Sequence, residues 1–285
     1  MKKLWTSILA VLFILVLAAC GSSEEENSSG DNSEGGEGQT EITVGATSVP
    51  HSEILEQAKP ILEEKGITLK IEEYQDYILP NKDLAAGVLD ANYFQHIPYL
   101  NAQEEQHGYD FANLGGIHIE PMGIYSKNIS SLDEIQEGTT VIMSRSVADH
   151  GRILSLLEKE GLIKLDESVD KVEATVDDIV ENPKNLKFDT GIDAAFLPET
   201  YKRSEDALVA INTNYAIQAG LNPTEDALIL EDSESPYVNV IAAKSEDKDS
   251  KALNTLVEVL HSEEIQTFIM EEYEGAVVPV DGSAE

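Results

Sequence analysis

Residues 42–74 restrict the fold more than any other stretch. ITVGATS (42–48) alternates β-branched with small residues and ends at Ser48, Val49 and Pro50, which reads as a buried strand running into a helix. From Ser52 to Lys65, Ile54, Leu55, Ala58, Ile61 and Leu62 recur at helical spacing, and Gly66 supplies the stop. Pro60 removes one backbone donor inside this helix and predicts a kink. ITLKIEEY (67–74) then alternates as a second strand. A strand, helix and strand joined by links this short form a parallel pair with the helix on its face, so the chain is committed to an α/β fold.

The alternation continues. Asn81 is placed to cap a short helix reaching Val88, Asp90–Phe94 reads as a third strand, and Pro98 fits the first turn of the next helix. GGIHIEPMGIYSK (115–127) reads as one long strand leaving a first lobe, and Ser131 with Glu134 has capping-box spacing. TTVIMS (139–144) opens a second sheet, and the helix from Gly151 to Glu160 buries Ile153, Leu154, Leu156 and Leu157 before Gly161. DALVAINTNYA (206–216) supplies a buried strand ending in amides, and YVNVIAAK (237–244) a strand returning to the first lobe. Residues 249–261 and 263–273 follow as helices. With 285 residues the chain has enough material for two lobes. The expected lobes are residues 41–125 with 237–285, and residues 126–236.

The N-terminus has a different character. Lys2 and Lys3 precede an apolar run from Ile8 to Ala19 that is short for a bilayer and ends on small residues, so residues 1–19 read as a secretory signal. Cys20 is the only cysteine, which excludes disulfides, CxxC metal sites and thiol catalysis in the folded part. Leu17–Gly21 resembles a lipobox, with Cys20 as the lipidated residue. Residues 21–40 contain six carboxylates and no cation, so residues 20–40 are expected to be an unfolded tether spanning roughly 25 Å. The formal charge is −35, and removing the signal with its two lysines leaves 17 basic against 54 acidic residues, or −37. That excess excludes nucleic acid and acidic lipid surfaces as principal partners.

Residues 74–100 collect Tyr74, Tyr77, Tyr93, Phe94 and Tyr99 beside Asn81, Asn92, Gln95 and His96. Flat apolar faces with uncharged hydrogen-bonding tips suit a small-molecule pocket, although each ring by itself suits a core equally well. DYILPNKDLAAGVLDANYFQHIPYL (76–100) resembles the signature segment of the NlpA/MetQ family, the substrate-binding lipoproteins of methionine-uptake ABC transporters. IHIEPMGIYSK (117–127), ENPKNLKF (181–188), AINTNYAIQAGLNP (210–223) and SPYVNVIAAK (235–244) extend the resemblance in consistent order from Ile42 to Val280. It implies a two-lobed type II periplasmic-binding-protein fold with the ligand in the cleft between lobes. It also implies a monomeric, non-enzymatic protein without cofactor or metal, anchored by lipid at the extracytoplasmic face of the cell membrane. Such a protein delivers L-methionine or a close analogue to an ABC permease with its ATPase. A methionine-containing dipeptide or another small amino-acid derivative is the alternative ligand. No GxSxG elbow or HExxH helix speaks for a hydrolase.

An amino acid needs partners for a carboxylate, an ammonium and a side chain. Arg152, in the first turn of the second-lobe helix and inside the matched segment GRILSLLEKEGLIKL (151–165), is the expected carboxylate clamp. Its replacement by alanine is then expected to weaken binding and leave ligand-free stability little changed. Asn212 and Asn239 offer oxygens to the ammonium, and Asn214 reads as a turn cap. Tyr77, Phe94 and Tyr99 are expected around the thioether, with His96 closing the site. The other histidines are scattered, and His118 with Glu120 is too small a set for a metal. Where the family usually carries Pro-Asn-Asp followed by Asn, this chain reads Ser144, Arg145, Ser146, Val147, Ala148, Asp149. That loop is expected to face the cleft, with Arg145 pointing either into it or out to solvent.

Overall fold

A computed structural model describes residues 40–281. The expected signal, Cys20 and almost all of the tether lie outside the described residues. The first lobe opens with β1 (Thr40–Thr47), α1 (Glu53–Glu64), β2 (Ile67–Tyr74), α2 (Leu79–Ala85), β3 (Ala91–His96), α3 (Ile97–His107) and β4 (Phe111–Ile119). The chain crosses into β5 (Gly123–Tyr125), β6 (Thr140–Ser144), α4 (His150–Lys159), β7 (Lys164–Leu165), β8 (Ile179–Glu181) and β9 (Lys187–Ile192). The second lobe continues through α5 (Leu197–Arg203), β10 (Leu208–Ile211), α6 (Thr213–Gln218), α7 (Pro223–Asp226) and β11 (Ile229–Leu230). The chain returns as β12 (Val238–Lys244), α8 (Lys251–Leu260), α9 (Glu263–Tyr273) and β13 (Val278–Pro279).

β1 and β2 pair in parallel from Thr40 opposite Ile67 to Thr47 opposite Tyr74. The first sheet has the order β13-β4-β12-β3-β1-β2, and the second β11-β5-β10-β6-β9. β12 runs antiparallel between β3 and β4, so the returning strand is buried in the middle of the first sheet. In β10, Leu208 and Ala210 join the core under α4 while Val209 and Ile211 join the core under α5 and α6. Helices on both faces make this strand a continuous apolar run rather than an alternating one. α8 buries Leu253, Leu256, Val257, Val259 and Leu260, a gross contribution of about 7–15 kcal/mol before chain entropy.

α1 itself spans Glu53–Glu64 with Pro60 inside it, as expected. Several local expectations change. The third strand runs to His96 and brings Gln95 and His96 into the sheet. Asn81 does not cap α2: Asp76 Oδ1 accepts the N–H groups of Ile78 and Leu79 at 2.6 and 2.8 Å. Asn81 is buried and exchanges hydrogen bonds with Asn92 and Gln95. At the next turn the Ser130 N–H and hydroxyl donate to the Glu134 carboxylate, and the Ser131 side chain makes no capping bond. The long strand expected over 115–127 is broken after Ile119, where Pro121 has no N–H for a ladder. Gly123–Tyr125 therefore pairs in the second sheet, although the expected boundary put it in the first lobe. No helix among the described residues is long and apolar enough to cross a membrane.

Candidate ligand-binding site

The carboxyl ends of β3, β4 and β10 meet between the two sheets and deliver His96, Glu120 and Asn212 to one cavity. Crevices at strand ends are where open α/β sheets bind ligands. The walls are Tyr77, Phe94, Gln95, His96, Tyr99, Glu120, Asp149, Arg152, Asn212, Thr213, Asn214 and Asn239. Aromatic faces with a few convergent polar groups are the lining that small-molecule sites use. Tyr77, Phe94, His96, Tyr99, Arg152, Asn212 and Asn239, the residues singled out from sequence, all line it. Glu120, Asp149 and Thr213 were not singled out, and Asn214 was read as a cap. Position gave a signal for three of the four: Asp149 stands one helical turn before Arg152, and Thr213 and Asn214 follow Asn212.

The aromatic cluster divides between pocket and core. Tyr77, Phe94 and Tyr99 form a triangle with ring centroids 6.0, 6.1 and 6.1 Å apart. Tyr99 fixes its ring by donating its hydroxyl to the Tyr77 carbonyl at 2.9 Å. Tyr74 and Tyr93 lie outside the wall: Tyr74 bonds Asp83, and Tyr93 donates to His118 Nδ1 in the first core.

His96 caps α3, its Nδ1 accepting the Tyr99 N–H at 3.1 Å. Its proton therefore resides on Nε2, which donates to Asp149 Oδ1 across the cleft at 3.1 Å. Tyr77 likewise reaches across, donating its hydroxyl to Asn214 Oδ1 at 2.6 Å. Tyr215 and Gln218 donate to the carbonyl and side-chain oxygens of Gln75 at 3.2 and 3.1 Å. These bonds join the lobes in a closed arrangement.

Arg152 lines the cavity but already has a carboxylate. Its Nε and Nη2 donate to Glu231 Oε2 at 2.8 and 2.5 Å, and Nη2 also donates to the Glu120 carbonyl at 2.5 Å. The guanidinium lies 4.6 Å from the centre of the Tyr237 ring. Burial opposes its charge, and Glu231 more than restores it, so its pKa is raised. Nη1 takes no partner among the described residues. Gly151 lets this turn approach the 171–172 backbone, because a Cβ there would lie 2.1 Å from the Lys171 carbonyl oxygen and 2.5 Å from that of Val172.

His51, His118 and Glu120, all buried, bring one ligand atom each within 4.8 Å of the others, so the histidines are less scattered than the sequence suggests. Hydrogen bonding already accounts for these atoms. Thr47 Oγ1 lies 2.7 Å from His51 Nδ1, and His51 Nε2 lies 3.1 Å from both Glu120 Oε1 and Asn239 Oδ1. His118 Nε2 donates to the same Glu120 oxygen at 2.9 Å, while Glu120 Oε2 accepts the Asn214 N–H at 3.0 Å. A metal would have to displace the imidazole protons that face Glu120, so the arrangement is that of a carboxylate held by two histidines. Burial pushes His51 down to about 4. Burial works against ionised Glu120, but His51 and His118 hold its carboxyl below the usual range.

The two asparagines are not equivalent. Asn239 Oδ1, expected for an ammonium, is taken by His51. Asn212 Oδ1 is buried with no hydrogen-bond partner among the described residues. Arg145 points outward: it is 57% exposed, pairs with Asp193 at 2.5 Å, and lines an outer cavity that shares Tyr77 and Tyr99 with the inner one.

Residues 42–281 match the family described as NlpA lipoprotein. The chain is 46% identical over 282 residues to the methionine-binding lipoprotein MetQ of Bacillus subtilis strain 168, spanning 98% of this chain and 99% of that one. The crystal structure of a lipoprotein from the same bacterium shares 47% identity and a TM-score of 0.83, covering 85% of this chain and 98% of that one. A nutrient-binding protein from Burkholderia cenocepacia, solved bound to methionine, shares 39% identity and a TM-score of 0.79, over 84% and 99% of the two chains. Matched along almost its whole folded length, the chain belongs to the NlpA lipoprotein family.

Proposed function

We propose that this chain is a non-enzymatic, lipid-anchored binding protein at the extracytoplasmic face of the cell membrane. It closes as a monomer over L-methionine or a close analogue and hands it to an ABC permease with its ATPase. The observation that carries the reading is Asn212 Oδ1, a buried acceptor with no partner among the described residues, in the same cavity as Arg152 and the Tyr77, Phe94 and Tyr99 rings. Buried acceptors are rarely left unpaired, so a ligand N–H is the natural complement. Arg152 Nη1 would take the carboxylate, the three rings the thioether, and His96 and Asn239 would complete the wall. The names of the similar proteins point the same way. Residues 1–19 would serve as signal, Cys20 as the lipidation site and residues 20–40 as tether. Residues 41–122 with 237–285 would form one lobe and 123–236 the other.

Denaturing the purified protein and weighing the released small molecule tests the ligand. Methionine is expected, and an unrelated compound refutes the reading. A methionine-containing dipeptide is the second reading, because the outer cavity adjoins the inner one across Tyr77 and Tyr99. Cys20→Ala tests the anchor: the variant should leave the membrane fraction after a high-salt wash, and continued sedimentation argues against lipidation.

A further inference from the structure

Asp149 is a carboxylate with almost no access to solvent, at 1% exposure, in the wall of a cavity meant for a small molecule. Burial works against the charge, but His96, with help from Arg152 and Asn212, holds the carboxyl below its usual range, so Asp149 is an ionised carboxylate. His96 donates to Oδ1 as a neutral ring, since its Nδ1 accepts the Tyr99 N–H. Arg152 makes its hydrogen bonds to Glu231 and the Glu120 carbonyl and none to Asp149. Oδ2 lies 3.4 Å from Asn212 Nδ2, a long contact that leaves this oxygen only weakly satisfied. On the same side chain, Asn212 Oδ1 has no partner among the described residues although the residue is 7% exposed. One unpaired acceptor and one weakly satisfied carboxylate oxygen thus stand at one corner of the cavity.

We propose that Asp149 is the specificity-determining residue that makes the cavity select ligands with a cationic amine. This rests on the reading of the ligand as an amino acid and adds which residue enforces the amine. The charges around the cavity, Glu120, Asp149 and Glu231 against Arg152, sum to an excess of negative charge. A zwitterion leaves that sum unchanged. The α-hydroxy acid of the same skeleton is a net anion, places a neutral hydroxyl at the acceptor corner, and adds to the excess.

Calorimetry with L-methionine and its α-hydroxy analogue, on wild type and Asp149→Asn, tests this. Asparagine keeps the shape and an oxygen for the His96 N–H while removing the charge. Wild type is expected to prefer the amino acid by roughly a hundredfold or more, and Asp149→Asn to narrow that preference at least about tenfold, chiefly by weakening methionine. Equal weakening of both ligands would make Asp149 structural and overturn the proposal, as would an unchanged ratio. Failure of L-methionine to bind wild type would overturn the amino-acid reading and this inference with it. Methionine binding with an unaltered ratio would overturn this inference alone. Should Asp149→Asn fail to fold, Asp149→Ser carries the same comparison with a smaller neutral side chain.

Discussion

Replacing Arg152 with methionine removes a cation from a buried pair rather than from an empty clamp. Arg152 and Glu231 side chains are 3% and 11% exposed. The change leaves Glu231 with only the Met122 N–H and the Ser235 hydroxyl, each at 3.0 Å, and deprives the Glu120 carbonyl of its side-chain donor. Breaking a buried pair from one side costs about 3–5 kcal/mol. For a folded unit of this size each kcal/mol shifts Tm by about 2–4 °C, so the ligand-free variant should melt roughly 6–20 °C lower. The assay is circular dichroism during heating of protein stripped of ligand by unfolding and refolding. The double variant Arg152→Met/Glu231→Met should recover most of the loss, because two apolar side chains need no charged partner. A single variant melting within about 2 °C of wild type would refute the reasoning, as would a double variant no more stable than the single. This reverses the expectation from sequence that only ligand binding would suffer.

Tyr77→Phe removes the cross-cleft bond to Asn214 Oδ1 and strands that acceptor, so ligand affinity should fall by about 1–3 kcal/mol; calorimetry showing no change would mean the bond does not assist closure. His51 takes a proton near 6.5 in the unfolded chain but at about 4 in the fold, where burial favours the neutral ring. Its contribution is therefore complete above pH 6.5 and is lost as pH falls towards 4, about 3 kcal/mol in all. Urea unfolding between pH 7.5 and 4.5 should show that decline and His51→Gln should flatten it; the same slope in both proteins would exclude His51 as the source. Arg145→Asn alters an exposed pair with Asp193, so affinities should move by less than about 1 kcal/mol with one rank order across L-methionine, its dipeptides and an acidic analogue. A changed rank order would show that Arg145 reaches the ligand.

Much of the scaffold was legible because its signals are local. The β1-α1-β2 unit follows from apolar spacing between Ile42 and Tyr74, and α4 from Ile153, Leu154, Leu156 and Leu157 before Gly161. A strand or helix buries one stripe or face, and that period is written directly in the chain. Short motifs identified the wall residues through resemblance, and Tyr77, Phe94 and Arg152 indeed meet around one cavity. The division of the aromatics was not legible, since Tyr93 and Phe94 are adjacent and only the sheet decides which ring faces the core.

Partnership was decided by tertiary structure alone. Glu231 meets Arg152 across 79 residues, and His51 takes the Asn239 oxygen across 188. Neither pair leaves a periodic trace, because each forms where strand ends or crossover segments from different parts of the chain converge. Burial then makes the partner decisive: a carboxylate or amide that would be solvated on a surface must be satisfied by whichever group the fold brings within 3 Å. The sequence thus determined which residues reach the cleft. The packing of two lobes determined which of them are already paired, and left Asn212 Oδ1 and the Asp149 carboxylate as the corner still open to a ligand.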